Sequence, residues 1–130
     1  MAVAGCRTAR QGFAGAICYW NDEGESRPVV GLEYLKAVTA LERAHLDCSL
    51  SLKATAVDYA RGLMEEIGAR AAAAGFRVHL DSMWPESVAP TFALLTELAA
   101  RQTVLGCTLP GRCQRSVQDA DVAMRRGQAP

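Results

Sequence analysis

Four short apolar runs recur along the chain at intervals of roughly 30 residues, the length of a strand plus a returning helix. They occupy residues 16–20, 48–52, 78–80 and 103–109, and each gap between them carries apolar residues at helical spacing. A chain that alternates in this way is confined to a small set of layered α/β architectures.

The first helix is predicted over residues 28–45. Pro28 suits an opening position, Ser26 stands nearby as a cap, and Leu32, Leu35, Val38 and Leu41 form a stripe. The second is predicted over 56–74 with Val57, Ala60, Leu63, Met64, Ile67 and Ala71 inward and Gly75 as its stop. The third is predicted over 90–101 through Phe92, Leu94, Leu95 and Leu98. Pro85 and Pro90 confine its start, because proline is tolerated in a first turn and not in a helix interior. The fourth opens at Ser116, whose spacing to Asp119 resembles a capping box, and runs through Val117, Ala120, Ala123 and Met124 to Gly127.

The runs between these helices are apolar and do not alternate cleanly, the pattern of parallel strands buried on both faces. Strand–helix–strand repetition with short loops gives an α/β fold with right-handed crossovers. Two architectures fit. A small doubly wound sheet is complete at 130 residues, whereas a (β/α)8 barrel needs about 250, so this chain would supply about half of one, four strands and four helices. Residues 1–15 read as an irregular leader and residues 16–130 as one domain, the four barrel units.

Composition narrows the function. Fourteen basic residues balance fourteen acidic ones, so no basic excess points to nucleic acid or to an anionic membrane. No apolar run approaches the ~20 residues of a membrane span. The five cysteines include no CxxC pair, which disfavours both a disulfide framework and a zinc site, and only His45 and His79 could assist a metal. No metal is expected, and reduced thiols fit a cytoplasmic location.

In parallel α/β folds function collects where strands end. The first run ends in Tyr19-Trp20-Asn21-Asp22, the second in Lys53, the third in Asp81, and the fourth in Thr108-Leu109-Pro110-Gly111-Arg112. Lys53 and Asp81 are the sharpest pair, because they end neighbouring strands and their heads can meet above the sheet. A lysine there supplies a positive charge for a carboxylate. An aspartate holds an amine or orients the lysine, although the two could equally form a plain salt bridge. His79, inside a strand, reads as a packed residue, His45 as a helix-end residue, and Cys107 as core. Trp20 reads as the lining of a cavity or as a cap on the core. Arg112 and Arg115 flank a helix start in a way that could suit a phosphate, without a glycine-rich fingerprint.

The order Ser51-Leu52-Lys53-Ala54, Val78-His79-Leu80-Asp81-Ser82, then Leu105 through Ser116 (Leu-Gly-Cys-Thr-Leu-Pro-Gly-Arg-Cys-Gln-Arg-Ser) resembles the proline dehydrogenase family, its divergent bacterial members most closely. The segment Cys18-Tyr19-Trp20-Asn21 fits the same pattern, and the similarity runs from about Cys18 to Gly127. The resemblance implies the front half of a (β/α)8 barrel that holds FAD and oxidises proline to pyrroline-5-carboxylate. It implies that Lys53 helps hold the substrate carboxylate and that Asp81 stands beside the substrate. Pro110 falls where typical members place a flavin-contacting glutamine, with Gly111 and Arg112 in place of the alanine and tyrosine that follow it. The family's later strand and last helix, with their flavin and carboxylate arginines, have no counterpart in these 130 residues. The expectation is thus a partial flavoprotein, inactive alone, that self-associates through open sheet edges. The alternatives are a non-catalytic α/β module that binds a partner by such an edge, and a complete doubly wound domain that binds an anion near Arg112.

Overall fold

The computed structural model describes residues 11–44, 47–82, 84–99 and 105–125. In chain order the elements are β1 (Gly15–Cys18), α1 (Arg27–Ala44), β2 (Cys48–Lys53), a 3-10 turn (Ala54–Val57), α2 (Arg61–Ala74), β3 (Val78–Asp81), α3 (Pro85–Ala99), β4 (Leu105–Cys107) and α4 (Ser116–Arg125). The strands form one all-parallel sheet in the order β1-β2-β3-β4. Strand order follows chain order without a reversal, and a doubly wound sheet is built around such a reversal. Among the described residues no helix is long and apolar enough to cross a membrane. Most of the leader, together with His45, Cys6 and Gly127, lies outside the described residues.

The sheet has two unlike faces, where the sequence suggested burial on both. Residues Cys48, Leu50 and Leu52 of β2, Val78 and Leu80 of β3, and Leu105 and Cys107 of β4 share one face and one core. Val30, Tyr34, Val38 and Leu41 of α1, Met64, Ile67 and Ala71 of α2, and Leu94, Leu95 and Leu98 of α3 pack onto it. The alternate positions face the other way: Ala16 and Cys18, Ser49, Ser51 and Lys53, His79 and Asp81. Ser49, Ser51, His79 and Asp81 are only half-buried. The period-2 signal is in fact present in Cys48-Ser49-Leu50-Ser51-Leu52-Lys53 and Val78-His79-Leu80-Asp81, but strands of four to six residues give it little length to stand out.

The helices depart from expectation at particular points. In α1 the inward stripe is Val30, Tyr34, Ala37, Val38 and Leu41, and Leu32 is exposed on the outer side. The predicted second helix is broken. Asp58 and Tyr59 both take left-handed backbone angles (φ 53° and 55°), which separates the 3-10 turn from α2 with no glycine to announce it. Gly75 ends α2 at φ 76°, as expected, and the Phe76 N–H reaches back to the Ala71 carbonyl.

Helix α3 starts one turn early, at Pro85, and accommodates Pro90 on an exposed position. The Ser87 hydroxyl secures that start by accepting from the Trp84 N–H (3.1 Å) and donating to the Trp84 carbonyl (2.7 Å). The capping box expected at Ser116 does not form. The Ser116 hydroxyl donates to the Pro110 carbonyl (2.7 Å), and the Asp119 carboxylate takes Arg115 instead. Helix α4 buries only Ser116, Asp119 and Ala123, and it exposes Val117 and Met124.

Candidate functional site

The carboxyl ends of β2 and β3 place Lys53 and Asp81 directly opposite one another, as register partners on the uncovered face. Strand spacing of about 4.8 Å brings such partners within side-chain reach. They nonetheless form no ion pair, and each head is held by different neighbours.

Lys53 is 6% exposed, and its ammonium lies 3.5 Å from the centroid of the Trp20 ring. The indole, 75% exposed on the loop after β1, shields one side of the charge and attracts it through the ring face. Trp20 is therefore a lid over a cation rather than a cap on the core. Among the described residues Lys53 has no carboxylate within ion-pair distance. A nearly buried cation without an anion is uncommon, because desolvation is otherwise uncompensated. The backbone at Lys53 is anchored from below: its N–H donates to the Tyr34 hydroxyl at 3.1 Å. Burial pushes the Tyr34 phenol up to about 12. Tyr19 meets Tyr34 edge-on, with centroids 6.1 Å apart. The Tyr19 hydroxyl donates to the Glu25 carboxylate (2.8 and 2.9 Å), and that bond raises its own pKa to about 12.

Asp81 turns away from Lys53 toward hydroxyls. Ser51 donates to Oδ2, and Thr108 donates to Oδ1 at 2.7 Å. The Thr108 backbone extends β4 by one rung, its N–H donating to the Leu80 carbonyl at 3.0 Å. His79 Nε2 lies 3.0 Å from the same Thr108 hydroxyl. His79 is thus a member of the polar cluster, where the sequence suggested packing. Cys18 lies beside Ser51 in the register. Burial pushes its thiol up, an effect the nearby Lys53 charge opposes. Ser51 and Thr108 stood within the strand-end segments of the sequence but were given no role, and Tyr34 was not singled out. Ser51 and Thr108 were findable in principle, because each sits at a strand end on the parity of Lys53 and Asp81.

The remaining candidates do not join this cluster. Cys107 is buried in the helix-side core, and burial raises its thiol pKa. Arg115 is engaged by Asp119 through two bonds of 2.7 and 3.1 Å, so it is not available for a phosphate, while Arg112 is exposed and forms no ion pair among the described residues. Among those residues no group of three or more His, Cys, Asp or Glu could hold a metal ion.

The geometry offers a cation and an anion side by side, suited to a small ligand that carries both charges. Pro110, at the position of the family's flavin-contacting glutamine, has no side-chain donor. Its carbonyl is already occupied by the Ser116 hydroxyl (2.7 Å) and the Cys113 N–H (2.9 Å). This position therefore offers a flavin no side-chain hydrogen bond. Neither a family model nor a curated protein matches the chain.

Proposed function

We propose that this chain forms the first four units of a (β/α)8-type barrel related to proline dehydrogenases, and that it captures a small amino acid, proline by resemblance, at Lys53 and Asp81. Sequential strand order and helices packed on one sheet face both support the barrel reading. The observation that carries the substrate reading is Lys53, 6% exposed and without a carboxylate partner among the described residues, at the register position opposite Asp81. An incoming carboxylate would supply the missing counter-charge once the Trp20 indole swings aside. Asp81, with two hydroxyl donors fixed, keeps lone pairs for a ligand ammonium. The proposal gives this chain by itself substrate capture without turnover, and it predicts no dye reduction by proline.

The test is calorimetric titration of the chain with proline, pyrrolidine and cyclopentanecarboxylate. Proline binds, and each analogue that lacks one charge binds at least about tenfold more weakly, as expected when a buried charge is left unpaired. Lys53→Met and Asp81→Asn each abolish the preference. Equal binding of all three ligands, or none of proline, defeats the substrate reading. Stoichiometric flavin uptake from excess FAD would instead show that the chain by itself holds the cofactor.

A second reading has its own support. Among the described residues β1 pairs only with β2, and β4 only with β3, so two strand edges carry unpaired backbone groups. Such edges favour association with another chain. Sedimentation should then show concentration-dependent self-association that Lys53→Met leaves intact.

A further inference from the structure

We propose that His79 is a positioning residue for Asp81 and acts through the Thr108 hydroxyl. The inference rests on reading Asp81 as a ligand-binding carboxylate. A threonine hydroxyl has one hydrogen, and Thr108 spends it on Asp81 Oδ1 at 2.7 Å. Only lone pairs remain for His79 Nε2 at 3.0 Å, so Nε2 must carry a proton and donate. The order is fixed: His79 Nε2–H to Thr108 Oγ, and Thr108 Oγ–H to Asp81 Oδ1. A hydroxyl that accepts a bond becomes a better donor, so the imidazole strengthens the grip of Thr108 on the carboxylate. Ser51 holds the other oxygen. Asp81 is therefore clamped from two neighbouring strands, β2 by Ser51 and the end of β4 by Thr108, directly across the register from Lys53.

The relay has a consequence for the imidazole itself. In the neutral ring one nitrogen holds the proton, so Nδ1 is bare. Nothing about the strand demands this tautomer; the hydroxyl between His79 and Asp81 does. The other strand residues described on this face are Ala16, Cys18, Ser49, Ser51 and Lys53, and no described hydrogen bond links any of them to the ring.

The experiment uses the full chain labelled with 15N in histidine and 13C in aspartate. In the neutral ring of His79, nitrogen shifts and two-bond couplings should report a proton on Nε2, and Thr108→Val should release that preference while Thr108→Ser keeps it. The Asp81 carboxyl carbon should move in the same direction in His79→Leu and Thr108→Val. The double variant should move it no further than either single change, because the two residues act as one unit. His79→Gln, which retains a donor nitrogen, should restore most of the signal. Proline affinity should fall roughly tenfold in His79→Leu, the usual scale for a bond to a charged group. A proton on Nδ1 overturns the proposal, as does an Asp81 signal unmoved by His79→Leu. If His79→Leu does not fold, the tautomer of the unaltered chain still decides. Failure of the unaltered chain to bind proline would sink the substrate reading alone, since tautomer and carboxyl signals are read without ligand.

Discussion

The two faces of the sheet are made from the same strands and behave as opposites. On the helix side Leu50, Leu52, Leu80 and Leu95 are essentially inaccessible and share one core. On the other side Ser51, Asp81, Thr108 and His79 are joined by hydrogen bonds and remain half-buried or exposed. One residue of register separates the two environments, so strand parity alone decides whether a position stabilises the fold or equips the site.

Truncating the helix side should therefore give the largest effect. Leu50→Ala or Leu95→Ala removes a fully buried side chain in close contact with both layers. Each should lower stability by about 2–5 kcal/mol, the range for such cavities, read from urea denaturation midpoints at constant slope. A loss below about 1 kcal/mol at either position would show that the helix layer does not pack as described.

Tyr34 crosses between the two regions: its ring is in the core and its hydroxyl accepts the Lys53 N–H. Tyr34→Phe keeps the ring and strands a buried donor, with an expected cost of about 1–3 kcal/mol. The same residue gives an alkaline signature. Its folded pKa, about 12, lies above the ordinary 10. Between those values the unfolded chain has lost the proton and the folded chain has kept it, so stability falls as pH rises through this window. Tyr34→Phe should flatten that decline. Tyr19, raised in the same direction by Glu25, contributes with the same sign, so Tyr19→Phe is the necessary control.

A smaller effect is expected where helix meets helix at the surface. Arg70 on α2 reaches Glu42 (2.6 and 2.8 Å) and Thr39 (2.9 Å) on α1. The Arg70 hydrogen bond holds the Glu42 carboxyl below its ordinary 4.5. The contribution of this pair is therefore present above that value and lost as pH falls below it. Because exposed ion pairs are screened by water and salt, Glu42→Gln should shift the denaturation midpoint less than Tyr34→Phe. The shift should shrink further in molar salt, and persistence of a full-sized effect there would mean the pair is better shielded than its exposure indicates.

How much of this was legible in the sequence follows the same division. The helix side was readable, because its residues are large and apolar and Cys48, Val78 and Gly75 mark element limits. The placement of Lys53 and Asp81 at neighbouring strand ends was readable as well, since each charge closes an apolar run. The supporting cast was not. Ser51 and Thr108 are small residues whose role depends on strand parity, and His79 could be assigned only when the residue 29 positions later was known to lie beside it. The break at Asp58 and Tyr59 carried no signal, because two consecutive non-glycine residues in the left-handed region run against local preference. Pro90 misled for the opposite reason: a real local rule was overridden by a helix start that Ser87 and Trp84 secure one turn earlier.

The most delicate probe of the contrast is a change expected to do almost nothing. Ser49 lies on the uncovered face, paired in register with Ala16, one residue from the fully buried Leu50. Its hydroxyl has no partner among the described residues, and it stands two positions away from the cluster at Ser51. Ser49→Ala should therefore change stability by no more than about 0.5 kcal/mol, the usual scale for a surface position. Leu50→Ala, at the adjacent residue, should cost several times that. The ratio tests the two-faced sheet directly, because both variants share strand, depth along the sheet and backbone. If Ser49→Ala instead costs more than about 1 kcal/mol, and the cost grows with protein concentration, then this face is covered in solution by a second chain. The polar cluster around Asp81 would in that case be the floor of an enclosed site rather than an open surface.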